Sequence, residues 1–163
     1  MSELLEKARS YEAKKIAATD KESKPLFHIS APAGWINDPN GFSVYNGKIH
    51  LFYQYYPYLR EWGPMHWGHS TTSDMIKWEQ LPCVLAPDEE YDKKGCFSGS
   101  AIEADGKHVL VYTGVTRIKL PDGSEQERQN QCIAFGDGLN YVKHENNPCL
   151  LYTSPSPRDL STS

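Results

Sequence analysis

The sequence has few cysteines, and their spacing matches no known ligand motif. The 163 residues include 4 cysteines, which are widely separated, form no Cys-x-x-Cys pair and have no histidine close by: Cys83, Cys96, Cys132 and Cys149. This spacing argues against a zinc site or a redox motif, so we expect no metal and no other cofactor. Scattered thiols are typical of a reducing compartment, and we therefore expect a cytoplasmic location.

Long apolar runs and an excess of basic charge are also lacking. No apolar run approaches the roughly 18 residues of a membrane span, and the segment from Met1 to Lys15 lacks the apolar stretch of a signal peptide. The net charge of -4 comes from 17 basic and 21 acidic residues, which are mixed along the chain without a basic stripe. We therefore expect neither a membrane nor nucleic acid as a partner.

What the chain does contain is one helical segment followed by β-type sequence. The apolar residues Leu5, Ala8 and Ile16 recur at roughly helical spacing, which predicts an amphipathic helix from about Ser2 to Ala18 within a leader of residues 1–24. From Phe27 onward, short segments rich in Val, Ile, Tyr, Phe and Trp alternate with turn signals, so we predict an all-β domain over residues 25–150.

The β-type segment contains an internal repeat of about 60 residues. Asn46-Gly47 and Asp105-Gly106 each separate two strand-like runs and predict two β-hairpins. Further downstream, Ser73-Asp74 is echoed by Gly136-Asp137. A repeat of about four short antiparallel strands is the unit of a β-propeller, in which four to eight such blades surround an axis. Because only two units fit in this length, we infer that the chain is part of something longer.

The run Trp35 to Gly41 carries the strongest functional signal. It reads Trp-Ile-Asn-Asp-Pro-Asn-Gly, so that Asp38 precedes a proline, which favours an extended backbone at the aspartate. We expect a loop here, because Asn40 and Gly41 are turn residues. Trp35 offers a flat apolar face for a sugar ring, and the Asn37 carboxamide offers a donor and an acceptor for hydroxyl groups.

Four motifs in order resemble the opening of glycoside hydrolase family 32, the invertases, sucrose-6-phosphate hydrolases and fructanases. They are Trp35 to Gly41, Phe52 to Pro57, Trp67 to Ser70 with Ser73-Asp74 and Trp78, and Cys96 to Ser100. The likeness runs from about Lys24 to Leu150. It implies the first two blades of a five-bladed β-propeller with an axial active site, and the stretch from Trp62 to Trp67 most resembles the sucrose-6-phosphate hydrolase branch.

The resemblance also implies a reaction and a set of residues. Family enzymes hydrolyse β-fructosidic bonds with retention, which requires two carboxyl groups about 5–5.5 Å apart. Asp38 would be the nucleophile, whereas the acid/base glutamate of the family's Glu-Cys motif is absent here, so we expect the chain alone to be inactive. Fructose would be bound by Asn37, Gln54, Phe97 and Ser98, with Trp62 or Trp67 as the apolar wall of the pocket.

Several alternatives remain open from the sequence. The amide of Gln54 could bond only to backbone or solvent, and Trp67 could belong to the blade core. We expect Trp78 to lie in that core, His69 to be a structural histidine with its hydrogen bonds satisfied, and Asp74 to be a turn or cap residue. The tail from Leu151 to Ser163 is rich in Ser, Thr and Pro and is expected to be disordered and not native to the protein. We therefore do not place Arg158-Asp159 in the site, and the alternative is that this pair is a degraded Arg-Asp-Pro motif. The other functions compatible with the pattern are an arabinan- or xylan-type propeller glycosidase and a carbohydrate-binding module.

Overall fold

The computed structural model describes residues 1–20, 24, 25 and 27–151. In this part of the chain one helix precedes nine strands. They are α1 (Glu3–Ala18), β1 (Trp35–Tyr45), β2 (Lys48–Tyr56), β3 (His66–Thr72), β4 (Glu79–Leu85), β5 (Gly95–Ala104), β6 (Lys107–Lys119), β7 (Glu125–Gly136), β8 (Tyr141–Lys143) and β9 (Leu150–Leu151). Leu151, the first residue of the predicted tail, belongs to β9, and the rest of that tail lies outside the described residues.

The strands form two antiparallel sheets that follow the chain order. One sheet has the order β1-β2-β3-β4, and the other has the order β5-β6-β7-β8 with β9 paired to β7. The predicted hairpins are confirmed, because Asn46-Gly47 and Asp105-Gly106 form the β1–β2 and β5–β6 turns with φ values of 49° and 72°, and of 50° and 71°. Positive φ at both positions is the geometry that a tight two-residue hairpin requires.

The repeat extends to the turns that follow the third strand of each sheet. Asp74 accepts backbone N–H bonds at its Oδ1 from residues two and three positions ahead. Asp137 makes the same two bonds in the second sheet. Because an aspartate that caps its own turn in this way has a structural task, the prediction that Asp74 is a turn residue is confirmed.

Helix α1 has a side-chain cap at its N-terminus and packs on the first sheet. Ser2 is the N-cap, and its Oγ accepts the N–H of Leu5 at 3.2 Å. Leu5 and Ala8 are buried in a cluster with Tyr53 and Tyr55 of β2. The helix therefore covers an apolar face of the first sheet.

Arg9 extends this docking to the second sheet. Its Nε donates to the carbonyl of Cys83 in β4 at 2.7 Å, while its two terminal nitrogens donate to Leu139 O and Asn140 Oδ1 at 3.1 and 2.9 Å. Leu139 and Asn140 lie in the turn between β7 and β8. One helical side chain thus ties the edge of the first sheet to a turn of the second.

The main core lies between the two sheets. It contains Phe52, Trp67, Leu85, Leu110 and Tyr112, all buried. Trp67 is therefore a core residue rather than part of an exposed wall, although its Nε1 donates to Phe97 O at 3.2 Å. Trp78, expected in the core, is only half-buried because it lies in the connection between β3 and β4, outside the paired strands. Within the described ranges, no helix is long and apolar enough to cross a membrane.

Candidate active site

The sequence Trp35–Gly41 forms a strand rather than the expected loop. It is the first half of β1, and it pairs with the end of β2, with Trp35 opposite Tyr56. Pro39 is compatible with a strand here because β1 is the edge strand of its sheet, where a missing N–H breaks no ladder bond in the sheet interior. Asn40 and Gly41, which were expected to form a turn, instead belong to a strand that contains two bulges.

Asp38 lies in a β-bulge. Between Ile36 and Pro39 the chain of β1 advances three residues, while its partner β2 moves two, from Tyr55 to Tyr53. The extra residue falls at Asn37-Asp38, and a bulge of this kind turns side chains away from the regular alternation of a strand. The Asp38 carboxylate is exposed, which a nucleophile requires.

A second bulge in the other sheet brings Ser98 to Asp38. In β5 the pairing passes from Phe97 opposite Thr113 to Gly99 opposite Tyr112, so Ser98 is the extra residue. The Ser98 Oγ donates to Asp38 Oδ2 at 3.1 Å, although 60 residues separate the two in sequence. One oxygen of the carboxylate is therefore oriented by a hydroxyl from the neighbouring sheet.

Trp35 and Asn37, from the same motif, form an aromatic and a polar surface near Asp38 in the strand. Trp35 Nε1 donates to Asn37 Oδ1 at 2.9 Å, which fixes the orientation of the carboxamide. The Asn37 Nδ2 group makes no hydrogen bond within the part of the chain described, so it is available as a donor to a ligand. Trp35 itself is 36% exposed.

Trp62 and Phe97 form an aromatic corner on the second-sheet side of the site. Their ring centroids lie 6.3 Å apart at an interplanar angle of 86°, an edge-to-face arrangement that aromatic pairs prefer. Trp62 is 57% exposed. An exposed indole held in this way is suited to contact the apolar face of a sugar.

Gln54 does not present its amino group to the site. The residue is buried, and its Nε2 donates to the carbonyl of Cys96 at 2.9 Å. The sequence left two alternatives for this amide, a contact with a sugar hydroxyl or a bond to backbone. The structure shows the bond to backbone. The bond links the end of β2 to β5 one residue before Phe97, so Gln54 helps to hold the two sheets in register at the site.

No second carboxylate hydrogen-bonds to Asp38 among the described residues. Glu79 is occupied in an exposed ion pair with Lys48 at 2.9 Å, and Lys48 starts β2 at the hairpin, far from the end of β2 that pairs with the bulge. In the same part of the chain, no group of three or more His, Cys, Asp or Glu side chains is arranged to hold a metal. The site as described thus presents one exposed carboxylate beside a carboxamide and exposed aromatic side chains.

Comparison with known proteins identifies the family. The model of the glycosyl hydrolases family 32 N-terminal domain matches residues 28–161. The chain belongs to glycoside hydrolase family 32. The match extends beyond Leu150, where the sequence-based resemblance ended, and so includes Arg158-Asp159, which lie outside the described residues.

Relatives in the family share both sequence and fold. The chain is 48% identical over 120 residues to a sucrose-6-phosphate hydrolase of Escherichia coli, with 73% of this chain and 25% of the relative covered. It is 38% identical over 161 residues to a levanase of Bacillus subtilis, with 96% and 23% covered. A solved GH32 β-fructofuranosidase of Bombyx mori superposes with a TM-score of 0.79 at 44% identity, covering 94% of this chain and 31% of that one.

The family membership identifies the two sheets as blades of a propeller. They are the first two blades of the family's five-bladed propeller, preceded by helix α1, which confirms the fold expected from the repeat and the family resemblance. The chain spans about a quarter of the length of the curated relatives it matches.

A buried ion cluster behind the site escaped the sequence analysis. Lys143 of β8 donates to the carbonyl of Ala86 at 2.8 Å and to the carboxylates of Asp88 and Asp92. Asp92 is fully buried and also accepts the hydroxyl of Tyr112 at 2.9 Å. This cluster holds the turn that leads into β5 and hence to Ser98. Nothing in the spacing of these residues marked them, because they meet only when β8 and the turn pack together.

Proposed function

We propose that the chain is the N-terminal part of a retaining β-fructosidase that hydrolyses terminal β-fructofuranoside bonds. The observation that carries this proposal is the contact between Ser98 and Asp38, which brings two separate family motifs onto one carboxylate. The presence of one exposed, oriented carboxylate beside sugar-type contacts fits the nucleophile of a retaining glycosidase.

Asp38 acts as an ionised nucleophile. The Ser98 hydroxyl holds Oδ2, which leaves Oδ1 to attack the anomeric carbon of fructose. The bond to the leaving oxygen breaks as the new ester bond forms, and water later cleaves the fructosyl ester. A glutamic acid from another part of the propeller protonates the leaving oxygen and then serves as the base that activates water.

The surrounding side chains bind the sugar. The Asn37 Nδ2 group donates to fructose hydroxyls, Trp35 lies against a ring face, and Trp62 and Phe97 form the apolar wall. Ser98 contributes through its bond to the nucleophile. Gln54 supports the site by holding Cys96, and its Oε1 atom and its second N–H remain for a direct contact with a hydroxyl.

The relatives support a substrate class. Sucrose-6-phosphate hydrolases, a raffinose invertase and a levanase are among them, and a variant of the Bombyx mori enzyme is solved in complex with sucrose. We infer sucrose or sucrose 6-phosphate as the substrate, bound without metal or cofactor. Three buried free thiols, of Cys83, Cys96 and Cys132, support a cytoplasmic setting.

The test compares one catalytic and one control substitution of the same type. The uninterrupted genomic reading frame that contains this chain is expressed and assayed for release of fructose from sucrose and its 6-phosphate. Asp38→Asn is expected to lower kcat by at least about 10³-fold, because it removes the nucleophile. Asp105→Asn is the control, since it converts the exposed Asp-Gly turn into the equivalent Asn-Gly turn.

Three outcomes would refute the proposal. Fructose release that survives Asp38→Asn would exclude this aspartate as the nucleophile, and binding of sugar without any turnover by the complete protein would favour a binding module. Preferential release of arabinose or xylose would identify the other class of propeller glycosidase. Residues 1 to 163 alone are expected to turn over no sucrose, since the family's acid/base motif is not in this sequence.

A further inference from the structure

Three buried histidines meet between the two sheets. His50 and His69 come from β2 and β3, and His108 comes from β6. The ring of His50 lies 4.8 Å from that of His108 and 5.1 Å from that of His69. Burial lowers the pKa of all three, that of His108 to about 4. At neutral pH each ring is therefore uncharged and carries one donor and one acceptor nitrogen.

The hydrogen-bond partners assign the tautomers of His50 and His69. His50 Nε2 faces the carbonyl of Tyr45 at 3.3 Å, which can only accept, so this nitrogen carries the proton. His50 Nδ1 then accepts from His69 Nε2 at 2.9 Å. His69 was expected to be a fully satisfied structural histidine, but its Nδ1 is buried without a partner in the described part of the chain. A bare acceptor there is less costly than an unpaired N–H donor.

The same reasoning assigns His108 and gives its hydrogen bonds a direction. Tyr141 Oη lies 2.6 Å from His108 Nδ1, and Ser43 Oγ lies 2.9 Å from His108 Nε2. The Ser43 hydroxyl also reaches the carbonyl of Gly41 at 3.1 Å. All three bonds form when Tyr141 donates to His108, His108 Nε2 donates to Ser43, and Ser43 donates to Gly41.

The opposite arrangement satisfies fewer groups. If His108 carried its proton on Nδ1, Tyr141 would have to accept, and its own hydroxyl proton would lack a partner although the residue is buried. Ser43 would then donate to His108 and no longer to Gly41. Two bonds would replace three, and buried polar groups that lose their partners are costly.

This chain of hydrogen bonds ends in the strand that presents Asp38. Between Asn40 and Ser43 the strand β1 contains its second bulge, since β1 advances three residues while β2 moves two. Gly41 lies in this bulge with φ of 56°. The side chain of Asn40 in turn donates to the carbonyl of Asp38 at 3.4 Å. Both bulges of β1 are thus held by side-chain bonds.

The second sheet therefore forms side-chain hydrogen bonds with β1 at two positions. Ser98 of β5 contacts Asp38, and His108 of β6 contacts Ser43 five residues further on. We propose that His108, acting through Ser43, is a positioning residue that fixes the placement of Asp38 against Ser98. This inference rests on the proposed function, in which Asp38 is the nucleophile.

The hydrogen-bond assignment is tested by NMR on the protein with ¹⁵N-labelled histidine rings. At neutral pH, His50, His69 and His108 are expected to show an unprotonated Nδ1 and a protonated Nε2. Tyr141→Phe removes the donor to His108 Nδ1, so the His108 ring signals should shift or split, while the signals of His69 stay in place. A signal of Nδ1–H or of imidazolium at His108 in the unsubstituted protein would overturn the proposal.

The positioning role is tested by kinetics on the genomic full-length protein. Ser43→Ala removes the bond to Gly41 and is expected to lower kcat by about tenfold or more, with KM changed by less than about threefold, because a small misplacement of a reacting group mainly affects the chemical step. Ser43→Thr keeps the hydroxyl and is expected to restore most of kcat. Ser73→Ala is the control, because Ser73 is exposed and lies beyond the far end of β3.

The two failures are distinguishable. If Asp38→Asn abolishes activity and Ser43→Ala leaves kcat unchanged, the positioning role is wrong and the proposed function stands. If Ser43→Ala and Ser43→Thr are equally impaired, the hydroxyl is not the relevant group and the positioning role is again wrong. If Asp38→Asn has no effect, the proposed function fails, and the positioning role fails with it even where the histidine signals agree.

Discussion

The buried ion cluster at Lys143 allows a stability prediction to be derived from the structure. The side chain of Lys143 is 11% exposed, that of Asp88 is 12% exposed and that of Asp92 is completely buried. Burial by itself would lower the pKa of Lys143, but the neighbouring Cys96, Asp92 and Asp88 raise it above its ordinary value. The ammonium group is therefore charged and is the only cation bonded to Asp92 in the described residues.

Lys143→Met keeps much of the aliphatic stem and removes the charge. The buried Asp92 carboxylate then loses its counter-ion, and breaking a buried pair on one side typically costs about 3–5 kcal/mol of the free energy of unfolding. The matched control is Lys48→Met, because Lys48 and Glu79 form a pair whose side chains are 49% and 61% exposed. Exposed pairs of this kind contribute at most about 1 kcal/mol.

The assay is urea unfolding followed by tryptophan fluorescence, with the free energy of unfolding compared between the two variants. Asp92→Asn in the Lys143→Met background removes the orphaned charge and leaves an acceptor for the hydroxyl of Tyr112. We expect it to recover part of the loss. Equal and small losses for Lys143→Met and Lys48→Met would refute the reasoning, since burial would then have made no difference.

Two further substitutions test other parts of the fold. Burial raises the pKa of Glu12 from 4.5 to about 7, so the folded state binds this proton more tightly than the unfolded state. The contribution of Glu12 to the free energy of unfolding is complete below pH 4.5 and is lost as the pH rises to 7, by up to about 3 kcal/mol. Glu12→Gln should therefore reduce the pH dependence of the free energy of unfolding measured from pH 4 to 8. Gly41→Ala should lower the melting temperature and reduce the free energy of unfolding by about 1–3 kcal/mol. The reason is that φ at Gly41 is 56° and a Cβ atom there would lie 2.7 Å from the Phe52 ring. An unchanged melting temperature would contradict the assigned backbone conformation.

Local sequence chemistry predicted much of the fold. The two hairpin turns and the aspartate-capped turns were predicted, because each depends on a few adjacent residues with strong backbone preferences. The repeat of these signals indicated blades, and the motifs indicated the family. The segment Trp35–Gly41 was wrongly expected to be a loop, because turn residues in it make bulges in a strand.

The sequence by itself therefore determined the N-terminal helix, the two hairpins, their repeat, the family and the choice of Asp38 as the residue of interest. Only the tertiary structure decided what Asp38 touches, since its partner Ser98 lies 60 residues away and reaches it through a bulge in another sheet. The burial of the Gln54 amide and the tautomer of His108 were decided in the same way. The physical reason is that such contacts depend on register and twist summed over many strand residues, whereas a cap or a tight turn depends on its immediate neighbours.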